Sequence, residues 1–322
     1  VEALRDLGQQ VFEFNLSDRL TFYDSVMVEI GNGEPRKALA PAQAHELAVN
    51  GLYAALYKTR PDVLLAVSGF FYQADLLELA RSYGTRVVLL HTESPYEDDR
   101  QLEIAAHADL NLINDPTNID TFRTVAPTVY VPHSYRPSIH HPGTADPKLS
   151  ADLAFVGTGY ASRVDFLEAM DLGGLDVLLA GNWQQLADDS PLRKFVAHEP
   201  DECLDNEQTI EVYRSAKIGM NLYRREAQAA HLAAGWAMGP RELEMAACGL
   251  FFLRDPRPEG DELLPMLPTF AGPGDASEQL RYWLAHPDKR HELARRAREA
   301  VADQTFTNRA AELLALLNNK EI

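Results

Sequence analysis

The chain is poor in cysteine: Cys203 and Cys248 are the only two in 322 residues. Two thiols make neither a disulfide framework nor a cysteine zinc cluster, and the pattern fits a reducing, intracellular setting. Cys248 lies in AACG and reads as a small buried side chain. Basic residues are also scarce, 30 Lys and Arg against 48 Asp and Glu, for a formal net charge of -18. That balance works against non-specific attraction to nucleic acid or to an anionic membrane. No apolar run is long enough to span a bilayer and no signal peptide is visible, so the expectation is a soluble, cytoplasmic protein without a membrane partner. Low-complexity tracts and short-period repeats are lacking too, and composition carries no signal for oligomeric state.

What is present is an alternation of short apolar runs and amphipathic stretches, in a chain long enough for two cores. It opens inside an apparent helix with Val1, Leu4 and Leu7 on one face before Gly8. A doubly wound domain normally opens on a strand and a glycine turn, so the expectation is a first strand and loop upstream of Val1. Strand patterns follow at 11–14, 62–67, 86–90, 110–113 and 128–131, with helical ones at 41–57, 74–81, 100–106 and 119–125. From Pro132 to Lys148 the texture changes to PHSYRPSIHHPGTADPK, which reads as a linker. A second series begins with a strand over 151–156, the turn GTGYASR and a helix through Met170. Strands at 176–180, 218–222, 250–253 and 269–271 and a helix at 209–215 continue it, and 276–317 is helical, ending in an apolar LLALL face suited to packing back across the first half. The expected fold is α/β, with two Rossmann-like doubly wound parallel-sheet domains facing each other across a cleft. Residues 1–135 form the first, 136–150 the linker and 151–322 the second.

The densest local pattern is GPRELEMAACGLFF at 239–252. Pro240 suits the first turn of a helix, Glu242 and Glu244 favour its positive end, and Gly249 ends it before a buried strand. Arg241 and Glu244, three residues apart, share a helical face near that end, where an anion and a ribose could both be held; an ordinary capped helix with a surface ion pair explains the same spacing.

Four segments occur in order: DLAFVGTGYASR at 152–163, GNW at 181–183, PRELEMAACG at 240–249 and QTFTNRAAELL at 304–314. On these the C-terminal half resembles the glycosyl transferase group 1 module of the CgeB-like (spore maturation protein) glycosyltransferases, which have the GT-B fold. The resemblance implies a nucleotide-diphosphate sugar held mainly by the second domain, an acceptor held mainly by the first, and chemistry between them. It matches Glu244 to the glutamate that binds the ribose hydroxyls. Related retaining enzymes carry a further upstream glutamate at the donor sugar, but this chain reads GWAMG there, near Trp236 and Ala237, a departure that bears on donor identity and on retention.

The remaining candidates come from strand ends. Gly157, Thr158 and Gly159 follow a strand and precede a helix, so their amides could hold a diphosphate, although the same glycines also make a simple tight turn. Arg163, one turn further on, is placed to neutralise phosphate. Arg241, and with it Arg224 and Arg225, supplies further positive charge for a departing diphosphate, the Arg224–Arg225 pair reading equally as solvated surface. Gly181, Asn182 and Trp183 end another strand and could border a nucleobase, with Trp183 equally a core side chain. Asn221 ends a third strand, as a ligand contact or a turn residue. In HTESPYEDDR, His91 and Glu93 emerge where a first-domain strand would meet the cleft; either could act on an acceptor hydroxyl proton, and the acid-rich stretch also reads as a helix N-terminus. The histidines at 133, 140 and 141 read as structural, and His231 as part of a cleft flap.

The leading expectation is thus a metal-independent, retaining, hexosyltransferase-like enzyme that needs no cofactor. It would move a sugar from a nucleotide-diphosphate donor, a UDP-sugar first, to an unidentified acceptor hydroxyl. Its catalytic candidates are His91, Glu93 and Arg241. A non-catalytic two-domain sugar-nucleotide binder is the alternative, and a sugar-nucleotide epimerase of similar architecture the third reading.

Overall fold

The structure is a computed structural model that describes residues 1–31, 33–68, 72–200, 202–227 and 230–318. Helices Glu2–Asp6 and Leu16–Asp24 open the chain, the second capped by the Asn15 side chain, which accepts from the Ser17 and Asp18 amides. An antiparallel hairpin of β1 (Met27–Ile30) and β2 (Glu34–Lys37) follows, and then helix Pro41–Thr59. The expected strand at 11–14 is irregular backbone instead. Phe14 packs half-buried against the cluster that holds Leu52 and Leu56 while the Arg19 guanidinium lies 4.4 Å over its ring, so the alternation VFEF marks one half-buried aromatic and no pairing edge.

The first sheet is parallel, in the order β3 (Val63–Val67), β4 (Arg86–His91), β5 (Leu110–Ile113), β6 (Thr128–Tyr130). Its two faces show why the middle of β4, Val87 to Leu90, is an unbroken apolar run. Val87 and Leu89 point to one side, against Leu52, Leu56, Leu76 and Leu77 from helices Pro41–Thr59 and Ala74–Ser82. Val88 points to the other, against Leu313 and Leu317 of the last helix, Phe306–Asn318. The chain's end therefore covers a face of the sheet formed near its beginning.

The second sheet is also parallel, in the order β10 (Phe252–Arg254), β9 (Ala216–Asn221), β7 (Ala151–Val156), β8 (Val177–Ala180). The expected strand at 269–271 is reduced to a single bridge between Arg254 and Thr269. Between the sheets, the Pro- and His-rich stretch runs beside the entry to the last helix: the Tyr135 amide donates to Gln304 O and its carbonyl accepts from Phe306 N–H. Among the described residues no helix is long and apolar enough to cross a membrane.

Candidate active site

In both sheets the loops leaving the carboxyl ends of the strands point into the space between them, where open α/β sheets place ligands. From the second sheet come 157–160 after β7, 181–183 after β8, 222–226 after β9 and 255–257 after β10. From the first come 92–97 after β4 and 114–115 after β5. Several polar contacts cross the cleft. Arg224 Nη2 lies 3.1 Å from Glu93 Oε2, and its guanidinium stacks 4.3 Å from the centre of the Tyr96 ring. Arg257 Nη2 donates to Tyr96 Oη at 2.6 Å, and Tyr130 Oη donates to Glu259 Oε1 at 2.7 Å.

The two glycine amides of the turn are committed to backbone carbonyls. Gly157 N–H donates to Ala180 O and Gly159 N–H to Asn182 O, both at 2.8 Å, so they knit the β7 and β8 loops together. The loops touch so closely that a Cβ on Gly181, whose φ is +112°, would lie 2.4 Å from Gly157 O. Thr158 O is taken by Arg163 Nη1 and the Tyr160 amide. At the start of the following helix, Ala161–Glu168, the Glu226 carboxylate accepts from Ser162 N–H and Oγ–H, occupying the position read from sequence as a phosphate seat.

Trp183 is core: it is fully buried, edge-on to Phe155, and fills the space a Cβ on Gly159 would need. Asn182 turns its side-chain oxygen back to the Gln184 amide. Asn221 is 5% exposed at the end of β9, with Nδ2 lacking a partner among the described residues. Arg225 is committed to Asp255, which takes two bonds of 2.7 Å from its Nη2.

Arg163 and Arg241 are two of the cleft arginines without an ion pair among the described residues, the buried Arg257 being another. Arg163 donates Nε to Leu222 O and Nη1 to Thr158 O, carbonyls at the ends of β9 and β7, and meets no carboxylate within 4 Å among the described residues. Burial, and after it the charge of Arg241, lowers its pKa to about 10. Arg241, in the first turn of helix Pro240–Cys248, has no hydrogen bond or ion pair within 4 Å among the described residues. On the same helix Glu244 is mostly buried, its Oε1 3.8 Å from His140 Nε2. Burial raises its proton affinity and Arg241 opposes the rise. A groove of about 430 Å³ opens beside Arg163, between Tyr223, Arg225, Phe166 and Phe270. Its size suits part of a small ligand.

The two carboxyl-edge candidates of the first sheet part company. His91 is fully buried, with Nε2 2.8 Å from Asn111 Oδ1 and the ring against Phe122. Asn111 gives its amide protons to Ala105 O, so its oxygen accepts from the imidazole, which burial keeps neutral. Such a ring cannot reach an acceptor hydroxyl, and the reading of His91 as a base is corrected to a sheet-end structural group. Glu93 stays in the cleft, two-fifths exposed beside Arg224; burial raises its pKa, Arg224 draws it back, and Glu97 raises it. His133 is a half-buried partner of Asn114, its pKa lowered to about 4 by loss of hydration. His231 falls in helix Ala230–Ala234, and its side chain lies outside the described residues.

Sequence reasoning passed over Asp115, Tyr96, Glu226, Glu259 and Arg257. Each sits one to five residues past a strand end or motif, but what marks it is a partner far away in the chain, which no local pattern carries.

Comparison with known proteins places this geometry. Residues 163–315, a little under half of the chain, match the family described as glycosyl transferase-like. No curated protein sequence matches the chain significantly. Among solved structures, the chain is similar to sucrose-phosphate synthase from Thermosynechococcus elongatus, at 15% identity and TM-score 0.60 over 90% of this chain and 84% of that one. It is also similar to the trehalose-6-phosphate synthase OtsA, at 13% and 0.62 over 87% and 77%. A third likeness is to HepE from Anabaena in complex with UDP, at 10% and 0.54 over 84% and 81%. At these identities the likeness is one of fold: two facing parallel α/β sheets in the GT-B arrangement.

Proposed function

We propose that a chain whose C-terminal half is a glycosyl transferase-like domain, set in a GT-B-like fold, transfers a sugar from a nucleotide-diphosphate donor to an acceptor hydroxyl. The observation that carries the reading is the pair Arg163 and Arg241. In a chain of net charge -18, Arg241 lies near enough to lower the proton affinity of Arg163, and neither has a carboxylate within 4 Å among the described residues. Leaving two cations uncompensated in a partly buried site is costly unless an anion completes it. A diphosphate does so, and the same charges stabilise it as it departs, the role a metal ion takes in other transferases. Glu244, one turn along the helix from Arg241, is the group for the ribose hydroxyls. UDP is the expected base carrier, in line with the UDP complex of HepE.

In this reading residues 1–135 serve the acceptor and 151–322 the donor, joined through 136–150. Glu93 is the first-sheet group for the acceptor hydroxyl, and the donor's anomeric configuration is retained. Thermal-shift measurements with UDP, GDP, ADP and dTDP, with and without magnesium, test the donor site, since a ligand that binds the folded state raises its apparent stability. Stabilisation by one of them that survives chelation supports the reading; none by any refutes it.

The ion pair between Glu93 and Arg224 favours a second reading, a two-domain binder of sugar nucleotides without turnover, because it commits the carboxylate read as the acceptor-side base. Release of nucleoside diphosphate from the sugar nucleotide, by transfer or hydrolysis, separates the two.

A further inference from the structure

The chain from Trp236 to Gly239 leads into the helix that carries Arg241 and Glu244, and each of its four backbone amides donates to a carboxylate. Trp236 and Ala237 both donate to Asp115 Oδ2, at 2.9 Å each. Met238 donates to Glu259 Oε2 at 2.6 Å, and Gly239 to Glu242 Oε2 at 3.0 Å. Glu259 and Glu242 belong to the second sheet's side of the cleft, but Asp115 lies two residues past β5 of the first. It is 3% exposed, and its other oxygen accepts from Thr117 N–H at 2.8 Å and from the Thr117 hydroxyl. A second tie runs the same way: Tyr130, at the end of β6, donates to the free oxygen of Glu259 while its ring meets Trp236 edge-on, centroids 5.7 Å apart.

A carboxylate accepting two consecutive amides fixes the orientation of both peptide planes, and charge-assisted bonds of this length are the strong ones. Residues 236–239 have no regular secondary structure of their own. Their path is set by what their amides bond to, and half of that set is supplied from the opposite domain.

We propose that Asp115 is a positioning residue for the donor site. By holding the amides of Trp236 and Ala237 it sets the path of 236–239, and with it the start of the helix that presents Arg241 and Glu244. The donor-binding end of the second sheet is then complete only while the edge of the first sheet is docked on it. The inference rests on the donor-site reading above and adds to it a carboxylate from the acceptor-side domain, delivered to the stretch where GWAMG departs from the family pattern.

The test uses the full chain and two substitutions, Asp115→Asn, which keeps the shape but removes the charge, and Tyr130→Phe, which removes the hydroxyl that steadies Glu259. Hydrogen–deuterium exchange is followed at 236–239, at 116–119 and in β7, and the affinity for UDP is measured by calorimetry. In Asp115→Asn, exchange at Trp236 and Ala237 should rise while β7 stays protected, and UDP affinity should fall about tenfold. Tyr130→Phe should raise exchange at Met238, with a smaller loss of affinity. If Asp115 only caps the turn Pro116–Asn118, exchange rises near Thr117 and not at 236–237, which overturns the proposal. Raised exchange at 236–237 with unchanged UDP affinity overturns it too, since the segment would then not govern the donor site. A parent chain that binds no nucleoside diphosphate defeats the donor-site reading itself, and this inference with it, and is recognised before any substitution is made.

Discussion

Glu242→Gln should make the protein more stable at pH 8 and leave it nearly unchanged at pH 5. Glu242 is fully buried at the start of helix Pro240–Cys248. Its Oε2 accepts from the Gly239 amide and the Tyr223 hydroxyl, while Oε1 is buried without a partner among the described residues. Burial, opposed by those bonds, pushes its pKa from 4.5 up to about 7. Between those values the folded protein holds a proton that the unfolded chain has released. The stabilisation is therefore full below pH 4.5 and is lost as pH rises through about 7. At ~1.4 kcal/mol per pH unit the loss is on the order of 3 kcal/mol. Glutamine keeps an oxygen for the Gly239 amide and cannot ionise, so the variant should lack this part of the pH dependence. Urea unfolding of both proteins at pH 5, 6, 7 and 8 gives the difference directly, and other titrating groups cancel in it. A variant destabilised by the same amount at every pH would mean that the charge on Glu242 costs nothing in the folded state and would refute the argument.

Arg241→Ala should weaken UDP binding by about 10- to 100-fold, the range for losing a charged hydrogen-bond partner, with little change in melting temperature because the side chain has no hydrogen bond or ion pair among the described residues; equal affinity would remove it from the donor site. Arg224→Gln withdraws the cation that holds down the proton affinity of Glu93, so if Glu93 serves the acceptor in its ionised form, the acid limb of the rate profile moves to higher pH; a limb that stays in place separates Glu93 from the chemistry. Gly181→Ala puts a Cβ against Gly157 O at a left-handed position and should cost about 3 kcal/mol in urea unfolding, whereas an unchanged midpoint would contradict the close contact of the β7 and β8 loops.

Strands buried on both faces announce themselves, because most of their residues must be apolar: the runs at 110–113 and 151–156, each broken by one polar residue, coincide with β5 and β7 to the residue. Helix Pro240–Cys248 is equally legible, with proline at its first position and Gly249 left-handed at its end. The hairpin of β1 and β2 escaped notice since β2, Glu-Pro-Arg-Lys, is exposed along its whole length and has no buried face to impose alternation. At the site, residue types at strand ends could be read, but not their commitments. Arg224 and Arg225 are adjacent and chemically identical in sequence, yet one spans the cleft to Glu93 and the other is held by Asp255 in its own domain. Asp115 shows the limit most sharply. Locally it is an ordinary cap in Asn-Asp-Pro-Thr-Asn, and one of its oxygens does serve that turn. The other bonds amides more than a hundred residues away, across a gap that exists only once both sheets have formed. Local geometry can be read from local sequence because the hydrogen bonds that enforce it close within a few residues. The cleft is enforced by bonds between loops of two separate sheets, so its residues can be named in advance as candidates, while their roles follow from partners that only the assembled fold supplies.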